Sequence, residues 1–224
     1  MTDAQLVLAL SLLAGLLSLD ATAVLQVMLS QPLAAAGLAG LVAGDPALGL
    51  TMGAALQLVW IGALPVGAAP FPDGAVAGVA GVGATVLLSG RGVPGGLAIA
   101  SGAAIGLIAG AVGQRVTAWV RDRNVRYADL ALRRAEIGDP SGVRAAVSLG
   151  IATRFATAAV LAAAFLCGSL LLGPLASVRV GGSYPTALWA APIAATALVV
   201  GGQGWEKGFV AAGLVVGLAI SVMM

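Results

Sequence analysis

Eight apolar runs alternate with short polar breaks, at about 4–29, 31–44, 46–64, 74–90, 93–114, 147–174, 185–202 and 208–224. An upright α-helix needs about 20 residues to cross ~30 Å of hydrocarbon, and most of these runs are of that order. The second run is different. Bounded by Pro32 and by Gly44-Asp45-Pro46, it would reach only ~21 Å as a helix at ~1.5 Å per residue. That length predicts a re-entrant or broken helix, which is tolerated only where it is buried in protein or lines a cavity. A strongly kinked transmembrane hairpin would leave the same trace. The whole pattern predicts an all-α polytopic membrane protein of six to eight membrane segments, at least one of them re-entrant or broken.

Composition narrows this further. The chain is 60% hydrophobic and 9% charged, with a mean hydropathy of +1.05, whereas soluble domains carry about 25% charged residues. So few charges cannot cover a water-facing surface. Glycine makes up 33 of 224 residues, roughly twice the usual ~7% share, and small residues let helix backbones approach closely in lipid. GxxxG spacings recur, and the triple Gly102/Gly106/Gly110 is the strongest predictor of a close helix contact. The lone Cys167 excludes an internal disulfide and reads as packing. There is no histidine, so the commonest metal ligand and any phosphohistidine are missing from this chain. The net charge of +2 gives no reason to expect nucleic-acid binding. Asp3 stands where a signal peptide would carry a basic region, so the first apolar run is expected to remain as a membrane helix.

One stretch is strongly polar. Residues 115–144 hold Arg115, Arg121, Arg123, Arg126, Arg133, Arg134 and Arg144, seven of the eleven basic residues. The positive-inside tendency makes it a cytoplasmic loop. Its middle reads as an amphipathic helix stopped by Gly138-Asp139-Pro140. The expected division is a membrane half over 1–114 with the substrate site, a basic loop or amphipathic helix over 115–146, and a second membrane half over 147–224. The loop serves either as a solvated orientation signal or as a docking surface. Arg154, near the start of the next apolar run, is expected to be an anchor that snorkels to the cytoplasmic end; a paired, buried role is the lesser alternative.

Candidate chemistry lies between Asp20 and Asp73. Polar groups held within the bilayer usually face a protein interior or a solute path. Asp20 follows about sixteen apolar residues and either lies deep or marks a helix break. Gln26 and Gln31 come next, and their amides suit sugar hydroxyls or an unwound backbone equally. Asp45, before Pro46, reads as turn chemistry. Gln57 stands mid-segment with Trp60 one turn on. An amide for hydroxyls beside a ring for C–H faces suits a sugar, although an interhelical hydrogen bond would explain Gln57 as well. The run from Pro65 through Pro70 and Pro72 to Asp73 cannot be regular helix. Glu206-Lys207 reads as a solvated turn. The sequence contains no nucleophile–base pair, Walker loop or metal cluster, so neither catalysis nor a cofactor is expected of this chain.

The order Leu19-Asp20, Gln31-Pro32-Leu33, Gly40-Leu41-Val42-Ala43-Gly44-Asp45, Gly49, Gly53, Leu56-Gln57-Leu58, Val66-Gly67-Ala68-Ala69 and Pro72-Asp73 resembles the enzyme IIC membrane subunit of the mannose/fructose/sorbose family of the bacterial phosphotransferase system. The resemblance is strong over roughly 19–76. Beyond that it is one of layout, with the charged stretch and then Arg154. It implies a multi-pass protein of the bacterial inner membrane, a sugar permease subunit that works with a IID membrane subunit, likewise oligomeric. Soluble IIA and IIB proteins would carry the phosphate on their own histidines, with IIB reaching the cytoplasmic face near 115–144. Asp20, Gln26, Gln31, Gln57 and Asp73 would bind the sugar, while Asp45 and Pro72 shape turns. Family members usually have Arg before the proline, where this chain has Gln31. They also have a Glu tied to sugar binding, where it has Gln57. Losing one charge alone would strand the other in a low-dielectric site, so the paired change predicts that positions 31 and 57 interact, directly or through a shared site. A non-transporting sensor or scaffold derived from such a permease, or an unrelated transporter with glycine-rich broken helices, would share many of these features.

Overall fold

The computed structural model describes residues 1–60 and 71–176, and these form six helices: α1 Asp3–Asp20, α2 Pro32–Ala43, α3 Pro46–Trp60, α4 Gly74–Gly90, α5 Gly95–Glu136 and α6 Ser141–Ala176. The expected segments at 185–202 and 208–224, the Glu206-Lys207 turn, and Pro65 and Pro70 lie outside the described residues. Local chemistry sets most helix ends. Thr2 and Gln5 close a reciprocal capping box at the start of α1, with Gln5 N donating to Thr2 Oγ1 at 3.3 Å and Thr2 N to Gln5 Oε1 at 2.9 Å. Pro32 opens α2, and Gly44 closes it in the left-handed region at φ 83°. Gly138, at φ 78°, ends α5 in the same way.

α2 and α3 form an antiparallel hairpin of two helices too short to cross the hydrocarbon, at ~18 and ~22 Å. Their backbones nearly touch: a Cβ built on Gly40 would fall 2.7 Å from the Gly49 Cα. Only glycine at both positions allows this approach. α4 is the centre of the bundle. Residues 74–84 are all buried, as suits a helix apolar on every side. Because lipid tails are as apolar as leucine, helices in lipid are held by close packing rather than by escape from water, and α4 offers mainly Gly, Ala and Val for it. The Gly102/Gly106/Gly110 stripe of α5 lies on α4 and its neighbours, where a Cβ on Gly106 would fall 2.8 Å from the Ala77 carbonyl oxygen. That is the close contact the triple predicts.

Among the described residues, α1, α5 and α6 are the helices long and apolar enough to cross a membrane. The chain is thus an all-α polytopic membrane protein. α1 stops at Asp20, well short of the end of the apolar run at 29, and an irregular segment leads to Gln31. The charged stretch is helix rather than loop for most of its length. α5 continues unbroken through Arg115 to Glu136, and α6 already begins at Ser141. At ~63 and ~54 Å, both exceed the hydrocarbon thickness and pair as an antiparallel arm beyond the apolar portion. Among the described residues the first apolar half packs on the start of the second, where α1 lies on α6 with Gly15 against Phe155.

Candidate functional site

The hairpin register that sets Gly40 on Gly49 also sets Leu33 beside Gly53 and carries Gln31 to Gln57 at the open end. Gln57 Nε2 donates to Gln31 Oε1 at 3.3 Å, and the Leu33 N–H donates to Gln57 Oε1 at 3.4 Å. Positions 31 and 57 therefore interact, as their paired change predicts, and they do so directly. Both distances are at the long end for N–H···O bonds, so each can be exchanged for a better partner at little cost. The two amides line a cavity of about 890 Å³ with Met28, Leu29, Leu38, Trp60 and Phe71, and no charged side chain is among the described residues that line it.

Trp60 completes this group. It is 2% exposed, and its Nε1 is a buried donor with no hydrogen-bond partner among the described residues. Its ring edge lies against Gly110 of α5, where a side chain would collide with it. An unsatisfied buried donor costs about 1–3 kcal/mol, and native structures rarely leave one without a reason.

The other predicted site residues are placed differently. Asp20 is buried and marks a helix break. Its carboxylate accepts the Val27 N–H at 2.8 Å and the Ser30 N–H at 3.0 Å, holding the irregular segment before Gln31. Within that segment Leu25, Gln26 and Met28 have φ of 65°, 56° and 69°, a region that non-glycine residues seldom occupy. The Gln26 side chain is exposed and does not join the amide pair. Asp45 caps α3, accepting the Leu48 N–H at 2.9 Å, in keeping with turn chemistry. Pro72 is buried just before Asp73.

Asp73 caps α4, accepting the Val76 N–H at 3.2 Å, and its Oδ2 pairs with Arg154 at 2.8 Å. The side chains of Arg154 and Asp73 are 6% and 3% exposed. Arg154 therefore does not snorkel. Its Nε donates to the Ser18 carbonyl at 3.3 Å and its Nη1 to Thr117 Oγ1 at 2.9 Å, so α6 carries this charge into the helix junction. Within the bilayer a paired guanidinium is far less costly than an isolated one. A lone Arg inside an apolar run was the one available signal for this pair; nothing pointed to Thr117 or Ser18.

A family model described as the sorbose-specific IIC component of the phosphotransferase system matches residues 4–173. The chain is 36% identical over 106 residues to the sorbose-specific EIIC component of Lacticaseibacillus casei, covering 47% of this chain and 36% of that protein. It is 34% identical over 113 residues to the fructose permease IIC component of Bacillus subtilis, covering 50% and 39%. It is 31% identical over 113 residues to the mannose-specific EIIC component of Escherichia coli, covering 50% and 40%. The matched stretch thus spans well under half the length of these relatives. The fold is similar to a chain of the cryo-EM structure of the mannose transporter ManYZ with microcin E492, at a TM-score of 0.57 and 21% identity, covering 100% of this chain and 80% of that one. The family match takes in both halves of the amide pair and nearly all of the six helices, and on that basis this chain belongs to the IIC family of mannose, fructose and sorbose phosphotransferase systems.

Proposed function

We propose that the chain is a sugar permease subunit that binds a hexose-type sugar in the cavity at Gln31, Gln57 and Trp60. One observation carries the reading: two loosely bonded amides and Trp60 line one cavity, and no charged side chain is among the described residues that line it. Amides donate and accept, which suits neutral hydroxyls, and the Trp60 ring offers an apolar face to sugar C–H groups. An anionic or cationic solute would find no counter-charge among the described residues that line it.

In this reading a IID membrane subunit completes the translocation path, and the assembly sits in the bacterial inner membrane as an oligomer. Soluble IIA and IIB proteins supply the phosphate. The α5–α6 arm with its arginines faces the cytoplasm and receives IIB near 115–146, and the substrate-handling part lies within 1–114. Asp20 and Asp73 act by holding backbone in place rather than by touching sugar. The neutral amides also fit a sugar-sensing relative that binds without turnover, and the two readings part on translocation.

Uptake of labelled hexoses by cells carrying the wild-type chain or Gln57→Ala, with and without a IID partner, tests this. Uptake is expected to fall roughly tenfold in the variant, about the loss from removing one or two ligand hydrogen bonds. Unchanged uptake would remove Gln57 from the site. Sugar binding without uptake in the wild type would favour the sensor.

A further inference from the structure

One irregular segment, from Asp20 to Gln31, leads to the amide pair and supplies Met28, Leu29 and Gln31 to the cavity. The N-terminus of α4 packs on its end, where a Cβ on Gly74 would fall 2.6 Å from the Ser30 carbonyl oxygen. Both come close to one side chain of α6. Arg154 donates to the carbonyl of Ser18, two residues before Asp20, and to the carboxylate of Asp73. Asp20 in turn holds Val27 and Ser30, next to Gln31. A third donor ties the guanidinium to Thr117 on α5. Arg154 thus uses Nε, Nη1 and Nη2 on three different elements, all at a buried junction. Below it, the same Arg154 and Thr117 line a cleft of about 670 Å³ between the α5 and α6 arms.

We propose that Arg154 is a positioning residue for the Gln31–Gln57 site: it fixes the far end of the segment that leads to Gln31 and, through Asp73, the N-terminus of α4 packed on it, and so sets how closely the two amides approach. The planar guanidinium suits this task because its donors form a rigid fork. An ammonium at the same place keeps the charge for Asp73 but cannot reach Ser18 and Thr117 in fixed directions. The role bears on sugar handling only through the binding reading above, whereas the geometry it controls can be measured without sugar.

The test is cross-linking in membranes, with Cys167→Ser to remove the native thiol. Gln31→Cys and Gln57→Cys are joined by a short bifunctional thiol reagent, and Asp3→Cys with Arg91→Cys serves as a control, since that ion pair of 3.0 Å joins α1 to the α4–α5 turn. Arg154→Gln should lower the 31–57 yield severalfold and leave the 3–91 yield unchanged, with Arg154→Lys falling between. Asp73→Asn combined with Arg154→Gln removes the stranded carboxylate, and the 31–57 yield should stay low there too. If Arg154→Gln also loses the control cross-link, this double variant is read in its place. An undiminished 31–57 yield in the double variant, with the control intact, overturns the proposal. In uptake, Arg154→Lys should raise KM severalfold with little change in Vmax; a fall in Vmax alone would also count against positioning. Low cross-linking in a chain that takes up no sugar in any form would leave Arg154 in this role and remove the transport reading.

Discussion

The Asp73–Arg154 pair and the Gln31–Gln57 pair both join distant parts of the chain, but they are built in opposite ways. The first is charged, almost fully enclosed and 2.8 Å long, and the guanidinium has two further acceptors. The second is neutral, half-buried and 3.3 Å long, beside a cavity and an indole N–H with no partner among the described residues. Saturated bonding resists change, whereas loose bonding near an unspent donor leaves room for exchange. The tightly bonded pair sits where helices meet, and the loosely bonded one beside the cavity proposed to bind sugar.

Breaking the strong pair should have the largest effect. Arg154→Leu strands the Asp73 carboxylate and should cost about 3–5 kcal/mol, read as a lowered unfolding temperature in detergent. Adding Asp73→Asn should restore much of it. Equal losses in the single and double variants would mean that the stranded charge is not the cause.

The amide pair can be sharpened into a charged one. Gln57→Glu alone places a carboxylate beside a neutral amide and should destabilise. Gln31→Arg with Gln57→Glu should recover stability, with a coupling of about 0.5–3 kcal/mol. Additive effects would show that the two side chains do not communicate.

Trp60→Phe keeps the ring and deletes the donor. Sugar affinity should weaken by about 0.5–1.5 kcal/mol, while in the sugar-free protein the loss of indole packing against Gly110 is partly offset by removal of an unsatisfied donor. Calorimetry on the purified chain measures both, and unaltered affinity would take the N–H out of the site.

The smallest effect lies on the arm, far from either pair. Asp139 accepts the Ser141 N–H at 2.9 Å and faces Arg134 at 3.3 Å. Hydrogen bonds from Ser141, then Arg134, hold its carboxyl below the ordinary value. A lowered carboxyl stabilises fully above that ordinary value, and the benefit fades as pH falls through the lowered one. The start of α6 should therefore fray slightly in acid, seen as faster amide exchange near Ser141, and Asp139→Asn should abolish that pH dependence.

How much of this could be read beforehand depends on how local the cause is. Pro32, Gly44-Asp45-Pro46 and Gly138-Asp139-Pro140 act within a few residues, and the helices end there as expected. The charged stretch does hold the expected amphipathic helix, but its reach into both flanks was not legible, because an exposed helix and a loop carry the same residues. What kept α5 continuous was the lack of Gly or Pro between Gly113 and Gly138. The meeting of Gln31 and Gln57 was legible only because two neighbouring departures from the family pattern balanced in charge. Arg154 was misplaced because its partners lie 37, 81 and 136 residues away, and nothing in its own helix names them.

The left-handed run at Leu25, Gln26 and Met28 has a thermodynamic reach beyond its own bonds. Each such residue stores roughly 1–2 kcal/mol relative to relaxed backbone, and Asp20 holds the tension. A tether wound this tightly delivers Gln31 with little freedom left to lose. Much of the ordering entropy that a guest would otherwise have to supply has then been spent during folding, before any guest arrives.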